Sequence, residues 1–438
     1  MSGASDGSRT IAQLNEALTR AADRFGTPVY IMDMISVAAA ARQVEAAFGS
    51  PWLLHYSLKA NDLPAVAGYL AGRGWGGAVV SAGEWQHARH GGLANQNVVF
   101  EGIGKTDAQL AYTAAETAAG RPPRWLVVES AAELACLADL ASGYQLGRGG
   151  RPVIDVLFRL NPGVDPETRR EFAVGSPASK FGMPAAEIGA LARSATTDCP
   201  GLTVRGIHVH VGSALTDVGA WTLAGVRATR LLADIAGHCP QADTIDYGGG
   251  FPLPGSGRPG PAQFRDALRD ALAAAGLPLP PRPAIEPGRY LVGAAGWLVS
   301  RVLHARQPES GAGEPRVILD AGMTELMRPA LYGSLHRVHA LRPDGDWLRA
   351  TAVDGPVCEM TDSFGTHQLP SLARGDLVAI EQAGAYAASF TSRYNGRPHP
   401  AEALLWRGDE LELCERPAVQ AAPGWPAERL PPAERSLV

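Results

Sequence analysis

The stretch Leu53-Leu54-His55-Tyr56-Ser57-Leu58-Lys59 is a short, largely apolar run of the kind that forms a buried strand. Seven further runs of this kind follow it, and longer segments rich in Ala and Leu, predicted to be helices, separate them. The seven runs cover residues 76–82, 97–102, 124–130, 153–160, 204–212, 244–251 and 283–290. Eight strand–helix units over about 240 residues predict an α/β fold, a (β/α)8 TIM barrel. A doubly wound open sheet is the alternative.

The rest of the chain predicts a second, mostly β domain. From residue 296 onward, strand-like pieces at 298–306, 317–320, 348–353 and 377–383 occur without long helices. Residues 28–33 (PVYIMD) precede the first barrel strand and are expected to belong to this β domain. We therefore predict an N-terminal helix at 1–26, a first β-domain strand and a link at 27–50, the barrel at 51–295, the β domain at 296–415 and a mobile Pro-rich tail at 416–438.

Composition argues against several classes of partner. The 438 residues are 46% apolar and 19% charged with a formal net charge of −5, so no large basic surface for nucleic acid is expected. No apolar run reaches the roughly 18 residues of a membrane span, and the N-terminus lacks the pattern of an export signal. The five cysteines are widely spaced without a C-x-x-C pair. This argues against a disulfide framework or a zinc site and favours a reducing cytoplasm.

Polar residues follow the predicted barrel strands, at the face where barrels of this type place their active sites. Lys59 ends the first strand. A desolvated lysine at an apolar rim would have a lowered pKa, as Schiff-base chemistry requires. An isolated lysine is more often an ordinary surface residue, so this interpretation depends on the other strand ends.

Two neighbouring strand ends are suited to a phosphate. Gly248-Gly249-Gly250 ends the seventh strand and would let main-chain N–H groups approach an anion. Ser213 ends the sixth strand and offers a hydroxyl to the same group. The glycine run lacks the G-x-G-x-x-G spacing of a dinucleotide site, and a plain tight turn is the alternative.

His210 and Glu286 suit an aromatic cofactor. His208 and His210 share one face of a strand, and no carboxylate or cysteine lies at ligand spacing nearby, so we expect no metal. We interpret His210 as an imidazole stacked on a cofactor ring, with a core histidine as the alternative. A carboxylate such as Glu286 beside a pyridine nitrogen would keep that nitrogen protonated and make the ring an electron sink. A solvated carboxylate in a turn is the alternative there.

Five motifs resemble, in order and spacing, those of the fold type III pyridoxal-phosphate decarboxylases: YSLKAN (56–61), VVSAGE (79–84), HVHVGS (208–213), DYGGGF (246–251) and EPGR (286–289). Three later segments resemble the diaminopimelate decarboxylases within that family: DAGMTELMRPALYG (320–333), GPVCE (355–359) and GAYAASFTSRYNGRP (384–398). The resemblance covers about residues 28–405. It implies an alanine-racemase-like barrel with a β domain, and a head-to-tail homodimer whose active sites lie at the subunit interface.

The resemblance also implies roles for individual residues. Pyridoxal 5′-phosphate would be held as a Schiff base by Lys59 and contacted by His210, Ser213, Gly249, Gly250, Glu286, Gly288, Arg289 and Tyr386. The substrate would be bound by Arg289, Arg328, Tyr332 and Tyr386. Cys358 would donate a proton to the substrate carbon and Glu359 would bind its distal end, both from the partner subunit. The main hypothesis is decarboxylation of meso-diaminopimelate to L-lysine, with Lys59, Glu286 and Cys358 as catalytic residues.

Three departures from the family pattern keep other substrates open. Ala78 stands where the family has an acidic residue, Met360 stands where it usually has Ser, and the 170–178 loop lacks the usual His-x-x-x-x-Thr-Gly pattern. The first alternative is therefore the same chemistry on another amino acid or conjugate, in siderophore or antibiotic biosynthesis. A racemase, which Glu286 disfavours, and a non-catalytic protein that has kept the fold are the others.

Overall fold

The computed structural model describes residues 9–306, 314–341 and 347–419. The chain begins with helix α1 (Ile11–Phe25), strand β1 (Val29–Asp33) and helix α2 (Met34–Ala47). The hydroxyl of Thr10 accepts a hydrogen bond from the Gln13 N–H, and the Gln13 side chain accepts one from the Thr10 N–H. This capping box fixes the start of α1.

Eight parallel strands then close into a barrel. They are β2 (Leu53–Ser57), β3 (Gly76–Val79), β4 (Val98–Phe100), β5 (Trp125–Val128), β6 (Ile154–Leu160), β7 (Leu202–Val209), β8 (Thr244–Asp246) and β9 (Arg282–Ile285). The barrel closes where β9 pairs with β2, through Leu53↔Ala284 and Leu54↔Ile285. All eight strands predicted from the sequence are confirmed, and the open-sheet alternative is wrong.

Helices follow the barrel strands and cover the outside of the barrel. They are α3 (Pro64–Ala71), α4 (Ala82–His90), α5 (Asp107–Ala118), α6 (Ala131–Gly143), α7 (Ala185–Asp198), α8 (Gly219–Ala236), α9 (Pro261–Ala274) and the short α10 (Arg289–Val292). Among the described residues, no helix has both the length and the apolar character that crossing a bilayer requires.

Side chains alternate between the two faces of each barrel strand. Val98 and Phe100 pack into the large outer core beneath the helices. Val99, between them, joins a separate cluster with Ala78, Trp125, Val127, Leu157 and Ala284. This inner cluster fills the barrel and forms a floor beneath the ends of the strands.

The second domain is mostly β, as predicted. It contains β10 (Gly296–Arg306), β11 (Arg316–Leu319), β12 (Val338–Ala340), β13 (Arg349–Asp354), β14 (Ser363–Leu369), β15 (Leu377–Ile380), β16 (Ala401–Leu405), β17 (Leu411–Cys414) and a short helix α11 (Arg328–Tyr332). Seven strands lie in the order β14-β13-β11-β10-β1-β16-β17, and β15 pairs with β10 and β12. Strand β1, which precedes the barrel in the sequence, thus belongs to this sheet, where it is antiparallel to β10 and parallel to β16.

The end of the β domain is tied to the barrel by Arg416. This residue forms ion pairs with Asp62, which follows β2, and with Glu402 in β16. The predicted mobile tail at 416–438 therefore begins with an anchored residue, and residues 420–438 lie outside the described residues.

Candidate active site

The ends of the barrel strands enclose a cavity of about 430 Å³. Lys59 lines it from a short 3-10 turn (Leu58–Ala60) that follows β2. Further predicted site residues line the same cavity: His210, Ser213, Arg289, Arg328, Tyr332 and Tyr386. A narrow adjoining cleft is lined by Gly249, Gly250, Glu286 and Gly288. The fold therefore brings together all the predicted site residues except Cys358 and Glu359.

The amine of Lys59 is held by a carboxylate. Its Nζ lies 2.8 Å from Oε1 of Glu101, the residue that directly follows β4. Burial lowers the pKa of Lys59, but Glu101 and Glu286 raise it by more, so the pKa lies above its ordinary range. Our expectation of a lowered pKa was wrong, because the sequence did not reveal this carboxylate. Lys59 is an ammonium ion in this state and must lose a proton before its nitrogen can act as a nucleophile.

Glu101 begins a row of buried ionisable groups. Its Oε2 lies 3.3 Å from Nε2 of His208, and the same nitrogen lies 3.6 Å from Oε2 of Glu286. Burial lowers the pKa of His208, but the two flanking carboxylates outweigh this effect and raise it to about 9. Burial, together with Asp246 and Glu101, raises the pKa of Glu286 to about 7. The imidazolium of His208 thus links the carboxylate beside Lys59 to the one beneath the cleft.

No carboxylate or cysteine lies at metal-ligand spacing from His208 along the chain, but the fold brings Glu101 and Glu286 to it. The ligand atoms that the three residues offer lie within 4.8 Å of one another, a geometry that could hold a metal ion. The ammonium group of Lys59 already contacts Glu101 and supplies positive charge to this cluster. We therefore interpret the three residues as an ion-pair network.

Gly249 and Gly250 form a main-chain cradle after β8. A Cβ at Gly249 would lie 2.5 Å from the carbonyl oxygen of Glu286, and Gly250 has a φ of +107°, where other residues are strained. Beside the cradle, Ser213 Oγ accepts hydrogen bonds from Nε and Nη2 of Arg289 at 3.3 and 3.1 Å. Main-chain N–H groups, a hydroxyl and a guanidinium are together suited to a phosphate.

His210 and Glu286 complete a set that fits pyridoxal phosphate. Nδ1 of His210 accepts a hydrogen bond from the N–H of Gly249 at 3.2 Å. Burial and the charge of Lys59 hold the pKa of His210 well below its ordinary value, so the ring is neutral. Glu286 Oε1 is buried and has no hydrogen-bond partner among the described residues. A buried acceptor without a donor is costly, and a pyridinium N–H would satisfy it.

Arg289 and Arg328 are two buried cations on one wall of the cavity. Among the described residues, neither has a carboxylate within ion-pair distance. The guanidinium carbons of both lie over the ring of Phe172, at 5.8 and 5.7 Å, and over the ring of Tyr386, at 4.7 and 5.7 Å. The rings of Phe172 and Tyr332 meet edge to face at 5.0 Å. Aromatic faces thus orient two guanidiniums whose hydrogen-bonding groups can receive an anionic ligand.

Cys358 and Glu359 do not line the cavity of their own chain. They lie between β13 and β14, where the Cys358 side chain is exposed and the Tyr394 hydroxyl donates a hydrogen bond to Oε1 of Glu359 at 2.9 Å. Met360, next to them, is 96% exposed. Their action from a partner subunit stays a prediction.

Four residues of the site, Glu101, His208, Asp246 and Phe172, had no predicted role. The sequence does contain one signal for Glu101. This residue directly follows the apolar run VVF, and a polar residue at the end of an apolar strand was also the feature that identified Lys59. His208 shares its strand face with His210, but its two carboxylate neighbours come from other strands. Phe172 lies in the loop that departs from the family pattern, and no local feature of the sequence predicts its contact with the two arginines.

Comparison with known proteins shows the family to which the chain belongs. The model of the family "Pyridoxal-dependent decarboxylase, pyridoxal binding domain" matches residues 34–293. The chain is 33% identical to the diaminopimelate decarboxylase of Zymomonas mobilis over 411 residues, which is 92% of this chain and 93% of that protein. It is 35% identical to the diaminopimelate decarboxylase of Deinococcus radiodurans, over 91% of this chain and 95% of the relative.

Solved structures give the same result. The crystal structure of Helicobacter pylori diaminopimelate decarboxylase complexed with L-lysine matches with a TM-score of 0.79 at 28% identity, over 88% of this chain and 93% of that one. The M. jannaschii diaminopimelate decarboxylase in co-complex with L-lysine matches with a TM-score of 0.80 at 27% identity, over 91% of both chains. This chain therefore belongs to the family of pyridoxal-dependent decarboxylases, in which the diaminopimelate decarboxylases are its relatives along nearly the whole length.

Proposed function

We propose that this carboxy-lyase removes the carboxylate at the D centre of meso-diaminopimelate and yields L-lysine and CO2. The observation that carries the proposal is the pair of buried guanidiniums of Arg289 and Arg328, which lack a carboxylate partner among the described residues and face the same cavity as Lys59. A substrate with two amino-acid ends would place one end at Lys59 and the carboxylate of the other end at the arginines. The relatives named diaminopimelate decarboxylase support this assignment.

Each residue of the site would have its own role toward the cofactor. Pyridoxal phosphate, when bound, supplies an electron sink for the negative charge that remains on the substrate carbon after CO2 leaves. Lys59 would hold the cofactor by its aldehyde carbon, and Gly249, Gly250 and Ser213 would hold the phosphate. Glu286 would keep the ring nitrogen protonated through its unpartnered Oε1.

The neutral imidazole of His210 would stack on the ring of the cofactor. Its orientation is fixed by the hydrogen bond that Nδ1 accepts from the N–H of Gly249. Tyr386 has a φ of +57°, and its N–H donates a hydrogen bond to the carbonyl oxygen of Ala60 at 2.7 Å, which holds its ring beside the turn that carries Lys59. Tyr332 would complete the substrate contacts next to Arg328.

We propose that the active site is shared in a homodimer, with Cys358 and Glu359 of one subunit completing the cavity of the other. Their exposed position outside the cavity of their own chain supports this arrangement. Mixing Lys59→Ala with Cys358→Ala tests it, because a mixed dimer would contain one intact site. A 1:1 mixture that exchanges subunits freely should recover about a quarter of the wild-type activity. A mixture as inactive as its parents would contradict a shared site.

A second candidate is the same reaction on a larger amino-acid conjugate. Phe172 lies in the loop that departs from the family pattern, and it lines both the cavity at Lys59 and an adjoining cavity of about 680 Å³. Arg169 and Arg258 line this second cavity in addition to Arg289 and Arg328. Space and positive charge on that side favour a substrate with an extended anionic end.

Release of CO2 from a panel of amino acids tests both candidates. Purified holoenzyme would be supplied with meso-diaminopimelate, its L,L isomer, ornithine, arginine and acylated diamino acids that carry a distal carboxylate. We expect release from the meso isomer alone. Release from a conjugate together with silence on meso-diaminopimelate would replace the first candidate by the second.

We also propose that the enzyme acts in the cytoplasm. The five cysteines are all free in the structure, and four of them, Cys136, Cys199, Cys358 and Cys414, are not fully buried. Thiols of this kind persist in a reducing compartment.

A further inference from the structure

The carboxylate of Glu101 has a position that the proposed function does not use. It lies 2.8 Å from Nζ of Lys59 and 3.3 Å from Nε2 of His208, and its side chain is 2% exposed. We propose that Glu101 is the proton acceptor for Lys59. It takes the proton that the lysine must lose before its nitrogen can bond to the cofactor, and it returns that proton when the lysine is released.

The register of the barrel explains how Glu101 reaches this position. Ala78 on β3 pairs with Val99 on β4, and both belong to the inner cluster of the barrel. Glu101 lies two residues beyond Val99 and therefore on the same face of the strand. Its N–H donates a hydrogen bond to the carbonyl oxygen of Val79 at 2.9 Å, which holds it in line with β3. The strand next to β3 thus supplies the acid that contacts Lys59.

The proton transfer balances within the pair. The N–H bond of the Lys59 ammonium breaks and an O–H bond forms at Oε1 of Glu101, so an ion pair becomes a neutral amine beside a neutral carboxylic acid. Neither an oxidant nor a further reactant is needed. In the part of the chain that the structure describes, Glu101 is the only side chain hydrogen-bonded to Nζ of Lys59.

Other charged and titratable groups surround this pair. They are His55, Glu84, Arg159, His208, His210, Asp246, Glu286 and Tyr386. Tyr386 and Glu286 act on the charge of Lys59 without a hydrogen bond to it. His208 contacts the second oxygen of Glu101 and would stabilise the carboxylate each time the proton leaves it.

Glu101→Gln tests the inference because the amide keeps the shape but cannot accept the proton. Without the neighbouring anion, the pKa of Lys59 should fall, and the lysine should react with the cofactor at lower pH than in the wild type. Turnover should nevertheless fall, by about tenfold to a hundredfold, because the proton has lost its acceptor. Glu101→Asp, which keeps a carboxylate, should retain part of the raised pKa of Lys59 and part of the turnover.

The first readout does not depend on turnover. Cofactor is removed, and the rate at which the protein captures added pyridoxal phosphate is followed by absorbance between about pH 5 and pH 10. We expect the midpoint of this pH profile to fall by about one pH unit or more in Glu101→Gln. Glu133→Gln is the matched control, because it removes the carboxylate of another lysine–glutamate ion pair, that of Lys105 and Glu133, also at 2.8 Å. Neither residue of that pair lines the cavity, and the midpoint should stay in place.

The inference rests on the proposed role of Lys59, and Lys59→Ala separates the two. If Lys59→Ala still captures the cofactor with the same absorbance change, the proposed function fails at its first step. If Lys59→Ala abolishes capture while Glu101→Gln leaves the midpoint unchanged, the role of Glu101 is overturned and that of Lys59 stands. A lowered midpoint with full turnover would also overturn it, since Glu101 would then hold the lysine without accepting its proton. Should Glu101→Gln fail to fold, the same two measurements on Glu101→Asp decide.

Discussion

Replacing Arg328 by Met should make the protein more stable and less active. Burial and the charge of Arg289 lower the pKa of Arg328 to about 10. At 1.36 kcal/mol per pKa unit, keeping this guanidinium charged in the folded protein costs about 3 kcal/mol. Contacts with the rings of Phe172, Tyr332 and Tyr386 offset roughly 1–2 kcal/mol of that cost. Met fills similar space without the charge, so Arg328→Met should gain about 1–2 kcal/mol of stability.

The assay compares thermal unfolding with turnover. We expect the Tm of the substrate-free holoenzyme to rise by about 1–2 °C, because the unfolding entropy of a 438-residue chain is large. The kcat/KM for meso-diaminopimelate should fall by a factor of about 100 or more, because the substrate carboxylate loses a charged, hydrogen-bonded partner. The stabilisation that bound substrate gives to the wild type should largely disappear in the variant.

Arg397→Met is the matched control in the same domain. Nε of Arg397 lies 3.2 Å from Oε1 of Glu325, a carboxylate that is 2% exposed, so its removal leaves a buried charge without its cation. This variant should lose about 3 kcal/mol of stability. If Arg328→Met also lowers the Tm, Arg328 stabilises the fold and the interpretation of an unpaired, ligand-binding cation is refuted.

Three further predictions test other parts of the molecule. Gly249→Ala places a methyl group 2.5 Å from a main-chain carbonyl oxygen just after β9. The apparent Kd for pyridoxal phosphate should therefore rise tenfold or more in an absorbance titration. Unchanged affinity would show that Gly249 does not form part of a phosphate-binding cradle. Cys358→Ala should lower kcat by about a hundredfold while the cofactor spectrum stays unchanged, and full turnover would remove Cys358 from the chemistry. Burial raises the pKa of Asp62 and of Glu402, but ion pairs that include those with Arg416 hold both below their ordinary values. The stability from these pairs is present at neutral pH and is lost as pH falls through the lowered pKa values. Arg416→Met should therefore reduce the Tm by a few degrees at pH 7 and by less below about pH 4, and an equal reduction at both pH values would contradict the ion-pair account.

The barrel could be predicted from the sequence because each of its strands is buried on both sides. Such strands are continuous apolar runs, and parallel connections place a helix after each of them. Strands β12, β14, β16 and β17 in the β domain were not predicted. The sequence SFGTHQL of β14 is largely polar, since β14 lies at one edge of the sheet. The sequence AEALL of β16 favours a helix by composition, but pairing with β1 and β17 imposes a strand.

A site residue could be predicted where a single polar side chain at the end of one strand is visible in the sequence, as at Lys59. Contacts between side chains on different strands could not be predicted, because they depend on how the strands pack together. Glu101, His208 and Glu286 follow or end β4, β7 and β9, and only closure of the barrel brings their ionisable atoms together. The error in the predicted pKa of Lys59 has the same origin, because burial was visible in the sequence and its carboxylate partner was not.

The two halves of the site are held by structures of different rigidity. On the cofactor side, the Glu286 N–H donates a hydrogen bond to the carbonyl oxygen of Gly248 at 2.9 Å, and the Gly249 N–H donates one to His210. Three adjacent strand ends are thereby joined, so a substitution in any one of them would disturb the others. On the substrate side, Phe172 and Met360 lie in loops, where sequence can change without altering the barrel. Two of the three departures from the family pattern fall in these loops, and the third, Ala78, lies beside the strand that carries Glu101. A change of substrate within this fold would therefore proceed through the loops, with the bond-breaking chemistry left in place.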